Sequence, residues 1–253
     1  MKETLKDPIS TLAGMPFLDD KFDFGQLLAA VAAVRQVRAN ELGLDGVAPA
    51  QAGTWLDPGR ALLVQEDPAP LIPGLALSRD RQADITYVLD DLAETVPAWS
   101  PLVRLPVRFL LLDTDDGAIS ASCRDWPQHI LLAKVAFARY RELREQVTHE
   151  LCHQWLYMIQ EVWRLAREGA EQLILPSGTA DRTPSEVLGA AHVAAALGRL
   201  HRIDPADAAP QIAAGHIRYL IDYGRGCLSL LDGIDDDLTD AGRALVQRLK
   251  EAL

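Results

Sequence analysis

His149, Glu150 and His153 stand in the run THELCHQWL and make an HExxH pattern. Residues four apart on a helix project from one face about one turn apart, so two imidazole nitrogens can meet on a single metal ion. In a zinc peptidase the intervening glutamate is the general base that activates metal-bound water. At about 100° per residue, Val147, Leu151, Trp155, Met158 and Val162 share an apolar face, and Glu150, Gln154, Glu161 and Arg164 a polar one. His149 and His153 fall between the two, beside Leu156 and Ile159, as expected of ligands facing a half-enclosed cavity.

A third ligand decides the chemistry. The metzincin continuation HExxHxxGxxH is absent, because Leu156 and Ile159 occupy its glycine and histidine positions. Glu168 and Glu171, in REGAEQ, offer the carboxylate of a glutamate-ligand peptidase, although charged residues in such a run are mostly solvated. The segment TPSEVLGAAHVAAALGRLHR carries the preferred candidate, His192, set among alanines where a metal can approach closely. Its alternative is a core histidine bonded to backbone. Glu186 is the runner-up there, its alternative being an acid at a helix N-terminus. Cys152 reads as a small packing residue. Trp126, Trp155 and Trp163 read as core or cavity wall, and His129, His201 and His216 have no ligand spacing to the motif.

Several elements must position these groups. Phe22 to Glu41 reads as a helix stopped by Gly43. The stretch broken by Pro49, Gly53, Pro58, Gly59, Pro68, Pro70, Pro73 and Gly74 is mostly loop, with a strand expected at Ala61 to Gln65. A short helix is expected over Asp84 to Glu94, strands at Val107 to Leu112, Ala118 to Cys123 and His129 to Leu132, and a turn at Asp115, Asp116 and Gly117. Helices follow over Ala138 to Gly169, Ser185 to His201 behind Pro184, Gln211 to Leu231 apart from Gly224 and Gly226, and Thr239 to Leu253. The fold expected is α+β and predominantly helical, with a small sheet preceding a zincin-like HExxH helix. A single domain spans 1–253: 1–103 form a variable N-terminal part and 104–253 carry the metal site.

Composition narrows the partners. The net charge of -11 offers no basic stripe to nucleic acid. Three widely spaced cysteines fit neither a disulfide framework nor a CxxC knuckle, which points to a reducing cytoplasm. MKETLKDPIS lacks the apolar run of an export signal, and no apolar stretch reaches the roughly 20 residues that span a bilayer, so no membrane is expected. The residues fix no oligomeric state.

Four stretches together resemble the HExxH-type peptide-modifying family of natural-product peptide clusters. They are AISASCRDWPQHILLA, REQVTHELCHQWL, Arg182 and Pro184 with VLGAAHVAAALGRL, and LTDAGRALVQRL. The likeness covers the C-terminal three-fifths of the chain. In one respect the chain departs from the family pattern: Gly189 and His192 are separated, whereas members often place that histidine directly before a glycine. The resemblance implies an iron(II)- and 2-oxoglutarate-dependent oxygenase that hydroxylates a side-chain β-carbon of a ribosomal precursor peptide with O2. It implies iron held by His149, His153 and His192, and an arginine fork on the distal carboxylate of 2-oxoglutarate. Arg182, Arg218 and Arg225 are candidates, and Arg218 is favoured because Tyr219, Leu220 and Ile221 suggest its partial burial. In such an oxygenase Glu150 is not required as a base and would orient water, substrate or a histidine ligand; read from HExxH alone, the alternative is a zinc-dependent metallopeptidase with Glu150 as base.

Overall fold

The computed structural model describes residues 7–44, 52–65, 72–113, 117–205 and 210–253. They form an α+β fold, mostly helical, with one small mixed sheet ahead of the long helices. The chain divides into two compact units, one of Phe24–Val162 and one of Met1–Asp23 with Trp163–Leu253. The division expected near residue 103 falls inside the first of these. Among the described residues no helix is long and apolar enough to cross a membrane.

In the Phe24–Val162 unit the helices are α2 (Phe24–Glu41), α3 (Pro58–Leu63), α4 (Arg79–Thr95), α5 (Ser100–Val103) and α6 (Tyr140–Val162). The strands are β1 (Gly74–Leu75), β2 (Arg108–Leu112), β3 (Ser120–Ala121) and β4 (His129–Leu132). The sheet order is β1-β2-β4-β3. β2 and β4 run parallel, with Arg108 opposite His129, and β1 and β3 pair antiparallel at the edges. All four residues of β4 are buried, His129 included, and Ile130, Leu131 and Leu132 supply the apolar run of a central strand. α6 packs on β3 and β4 and against α2 and α4.

Two expectations change here. Ala61–Gln65 is not a strand: Pro58 sits in the first turn of α3, and the Asp57 side chain accepts from Arg60 N, so a capped helix takes the apolar residues. The short helix expected from Asp84 extends back to Arg79, because Ser78 caps it. Gly43, at φ +70°, ends the turn after α2 as expected. Pro49, Pro68, Pro70, Asp115 and Asp116 lie outside the described residues.

The other unit holds α1 (Pro8–Leu12), α7 (Pro184–Ile203), α8 (Pro210–Asp232) and α9 (Asp240–Ala252). α7 and α8 pack extensively, and α9 rests on α1, α7 and α8. α8 runs unbroken through Gly224 and Gly226. Glycine at 224 allows the C-terminus to approach, since a Cβ there would stand 2.6 Å from Leu253 Cδ1.

Candidate metal centre

α6 is held by both of its faces. Val147, Leu151, Trp155 and Met158 are buried, and Trp155 Nε1 donates to the Leu102 carbonyl at 3.0 Å. The side expected to be polar and open is instead buried against the sheet and α2. Gln154 accepts from Gln128 N at 2.7 Å and donates to the His129 carbonyl at 3.1 Å, which fastens mid-helix to the start of β4. Gln128 itself is left-handed, at φ +59°, and its amide nitrogen donates to the carbonyls of Leu56 and Pro106. Glu161 forms a bidentate pair with the fully buried Arg35. Of the four residues assigned to the open face, only Arg164 is exposed; it lies beyond the end of α6 and pairs with Glu168.

Between these faces His149 and His153 are half-buried, with their Nε2 atoms 3.1 Å apart. Two nitrogens bound about 2.0–2.1 Å from one ion at right or tetrahedral angles stand about 2.9–3.4 Å apart. The pair is therefore spaced as two ligands of one ion would be, and the same spacing serves a direct N–H···N hydrogen bond between neutral rings. Tyr157, one further turn along α6, stacks on His153 with ring centroids 6.0 Å apart. Its hydroxyl donates to the Ser122 carbonyl at 3.3 Å.

Glu150 points to β3. Ser120 Oγ donates to its Oε1 at 2.6 Å and Ser122 Oγ to its Oε2 at 2.5 Å, while Oε1 lies 3.9 Å from His149 Nε2. Cys152 is fully buried, and burial pushes its thiol well above the ordinary value, so it supplies packing and no thiolate. Among the described residues of this unit, no third His, Cys, Asp or Glu closes on the histidine pair within 4.8 Å.

The remaining candidate ligands and the candidate arginines lie in the other unit. His192 is fully buried in α7, with Nε2 2.8 Å from the Pro16 carbonyl. That nitrogen donates to backbone, as a core histidine does, and gives ligation through Nε2 no support. Burial also holds the imidazole down to about 4. Glu186 closes a capping box with Thr183 and accepts from Arg182 at 2.8 Å, so both side chains serve the start of α7. Glu168 and Glu171 are exposed. Arg218 is exposed as well; the partial burial expected of it is not found, because Leu220 is the neighbour that turns into the core. Arg225 donates to the Leu253 carbonyl at 2.7 Å.

One pairing escaped the sequence reading. His201 of α7 and His216 of α8 meet edge to face, with ring centroids 4.8 Å apart, the same separation as His149 and His153. They offer two further imidazoles to a metal ion. They stand fifteen positions apart in the chain, across a helix boundary, so only the packing of α7 on α8 reveals the pair. No family model matches this chain, and no curated protein matches it.

Proposed function

We propose that this chain is a metal-dependent enzyme whose ion is held by His149 and His153, and that its reaction is hydroxylation of a side-chain β-carbon of a peptide. The observation that carries the metal reading is the 3.1 Å separation of the two Nε2 atoms. Two imidazoles with no thiolate form a donor set suited to iron(II) and to zinc alike. Iron(II) with 2-oxoglutarate and O2 supplies the oxidising chemistry when bound. The likeness of four segments of the chain to the peptide-hydroxylating family supports that choice of reaction. The protein's own part is to fix two ligands from one rigid helix turn, to hold Glu150 beside them, and to leave both rings reachable on a half-buried face.

A zinc peptidase is the second reading, and one observation favours it. Glu150 Oε1 lies 3.9 Å from His149 Nε2, where a base for metal-bound water belongs. The two serine hydroxyls occupy one site on each carboxylate oxygen, and each oxygen keeps a further lone pair.

Incubating a peptide pool with the iron-loaded protein, 2-oxoglutarate and O2, and reading intact mass, separates the two. Gain of one oxygen with succinate formation supports hydroxylation, whereas cleaved peptide under zinc supports hydrolysis. Arg218 is the arginine to substitute first in a 2-oxoglutarate binding assay, since the Arg182 fork is already on Glu186.

A further inference from the structure

The Glu150 carboxylate is anchored from outside its own helix. Ser120 and Ser122 lie two apart, so their side chains leave the same face of the chain at β3. Each donates to a different oxygen, at 2.6 and 2.5 Å, and the carboxylate is almost completely buried. Ser120 Oγ also stands 2.7 Å from Gln146 Oε1, one turn before Glu150. A hydroxyl has a single proton, and a carboxylate is the stronger acceptor. With the amide nitrogen of Gln146 turned toward Ser120 Oγ, the chain Gln146 to Ser120 to Glu150 satisfies every group. Two charge-assisted bonds at different oxygens fix the plane as well as the position of the carboxylate.

We infer that Ser120 and Ser122 are positioning residues that hold the Glu150 carboxylate as the outer hydrogen-bond acceptor of the ion carried by His149 and His153. The inference rests on the metal reading proposed above, and it applies whether the ion is iron or zinc. A carboxylate 3.9 Å from a liganding nitrogen is too far to bond it directly. It is well placed to accept from a water or substrate group that the ion binds. Outer partners hydrogen-bonded to a metal ligand are worth about 10–100-fold in metal affinity, and a water bound to the ion is such a ligand. Without the serines, Glu150 has no donor from β3 and can swing away.

The test uses the full-length protein and cobalt(II), reading the dissociation constant and the visible absorption of the bound ion. Ser120→Ala/Ser122→Ala is expected to weaken cobalt binding by about 10-fold or more and to change the spectrum. Ser120→Thr/Ser122→Thr keeps the hydroxyls on a strand that favours branched side chains, and restores both readouts. Because the serines act through Glu150, adding their removal to Glu150→Gln produces no further change. A folded alanine pair with wild-type affinity and spectrum overturns the inference, as does a folded threonine pair that behaves like alanine, or effects that add to those of Glu150→Gln. If the alanine pair does not fold, the single Ser122→Ala variant is read by the same criteria. Wild-type protein that takes up no cobalt sinks the metal reading and this inference together; equal binding by wild type and serine variants sinks the inference alone.

Discussion

His149 and His153 hold their Nε2 atoms 3.1 Å apart. Two neutral imidazoles at this spacing can share one cation. Binding to the folded state alone adds about 2.7 kcal/mol at an ion concentration 100 times the dissociation constant. Zinc or cobalt is therefore expected to raise the unfolding midpoint of the wild-type protein and to leave that of His149→Ala/His153→Ala unmoved. An equal shift in both proteins would place the ion elsewhere, His201 and His216 being the next pair to substitute.

His192 predicts a pH dependence of stability. Buried against the Pro16 carbonyl, it takes up a proton only near pH 4, while in the unfolded chain it does so near 6.5. Between those values the unfolded state binds more protons, so stability is whole above about pH 6.5 and is lost as pH falls toward 4. The loss reaches on the order of 2 kcal/mol by pH 5. Urea midpoints measured from pH 7 to 4.5 should fall more steeply for wild type than for His192→Gln. Parallel curves would mean that the imidazole is not buried neutral, and a weakened cobalt affinity in His192→Gln would return it to the ligand set.

The histidine pair was legible because a helix converts spacing directly into direction, and β4 because three apolar residues in a row, Ile130 to Leu132, suit a strand covered on both sides. What escaped was tertiary. Gln154 and Glu161 are polar letters at helical spacing, and nothing local tells a solvated stripe from one whose partners are Gln128, His129 and Arg35. Ser120 and Ser122 were visible only as small residues before the motif, since their role depends on β3 crossing beside α6. At 61–65 the apolar run could be either element, and the decisive Asp57-Pro58 cap lies just outside it. Arg218 was misjudged because its apolar neighbours were counted by sequence distance, and one helix can bury Leu220 while exposing residue 218.

Two glycines should respond to alanine in opposite ways. A Cβ at Gly242 would lie 2.1 Å from the Leu165 carbonyl oxygen, where α9 begins and where Thr239 N also donates. Gly242→Ala must push α9 off that backbone, at a cost of about 1–3 kcal/mol. At Gly215, within α8, nothing lies within 4 Å of the added carbon, so Gly215→Ala gains about 0.5–1 kcal/mol of helix stability. Thermal midpoints of the two variants should move to opposite sides of the wild type. Movement in the same direction would count against the packing described for the start of α9.

The Arg35–Glu161 pair ties the far end of α6 to α2, and its cost structure is asymmetric. Arg35 is fully buried; its Nε and Nη2 donate to the two oxygens of Glu161 at 2.9 and 2.7 Å, and its Nη1 donates to the Trp55 carbonyl and to Gln128. Removing Glu161 alone leaves a guanidinium in the interior with half its donors unanswered, so Glu161→Leu is expected to cost about 3–5 kcal/mol. Arg35→Lys does not repair the site, because a point charge cannot serve the fork and the two further acceptors together. Arg35→Met/Glu161→Leu removes both charges at similar volume and should recover much of the loss. Denaturant unfolding of the single and double variants measures this directly. A double variant as unstable as Glu161→Leu would mean that Arg35 serves mainly through Trp55 and Gln128, holding the loop before β4, and that the ion pair itself is secondary in anchoring α6.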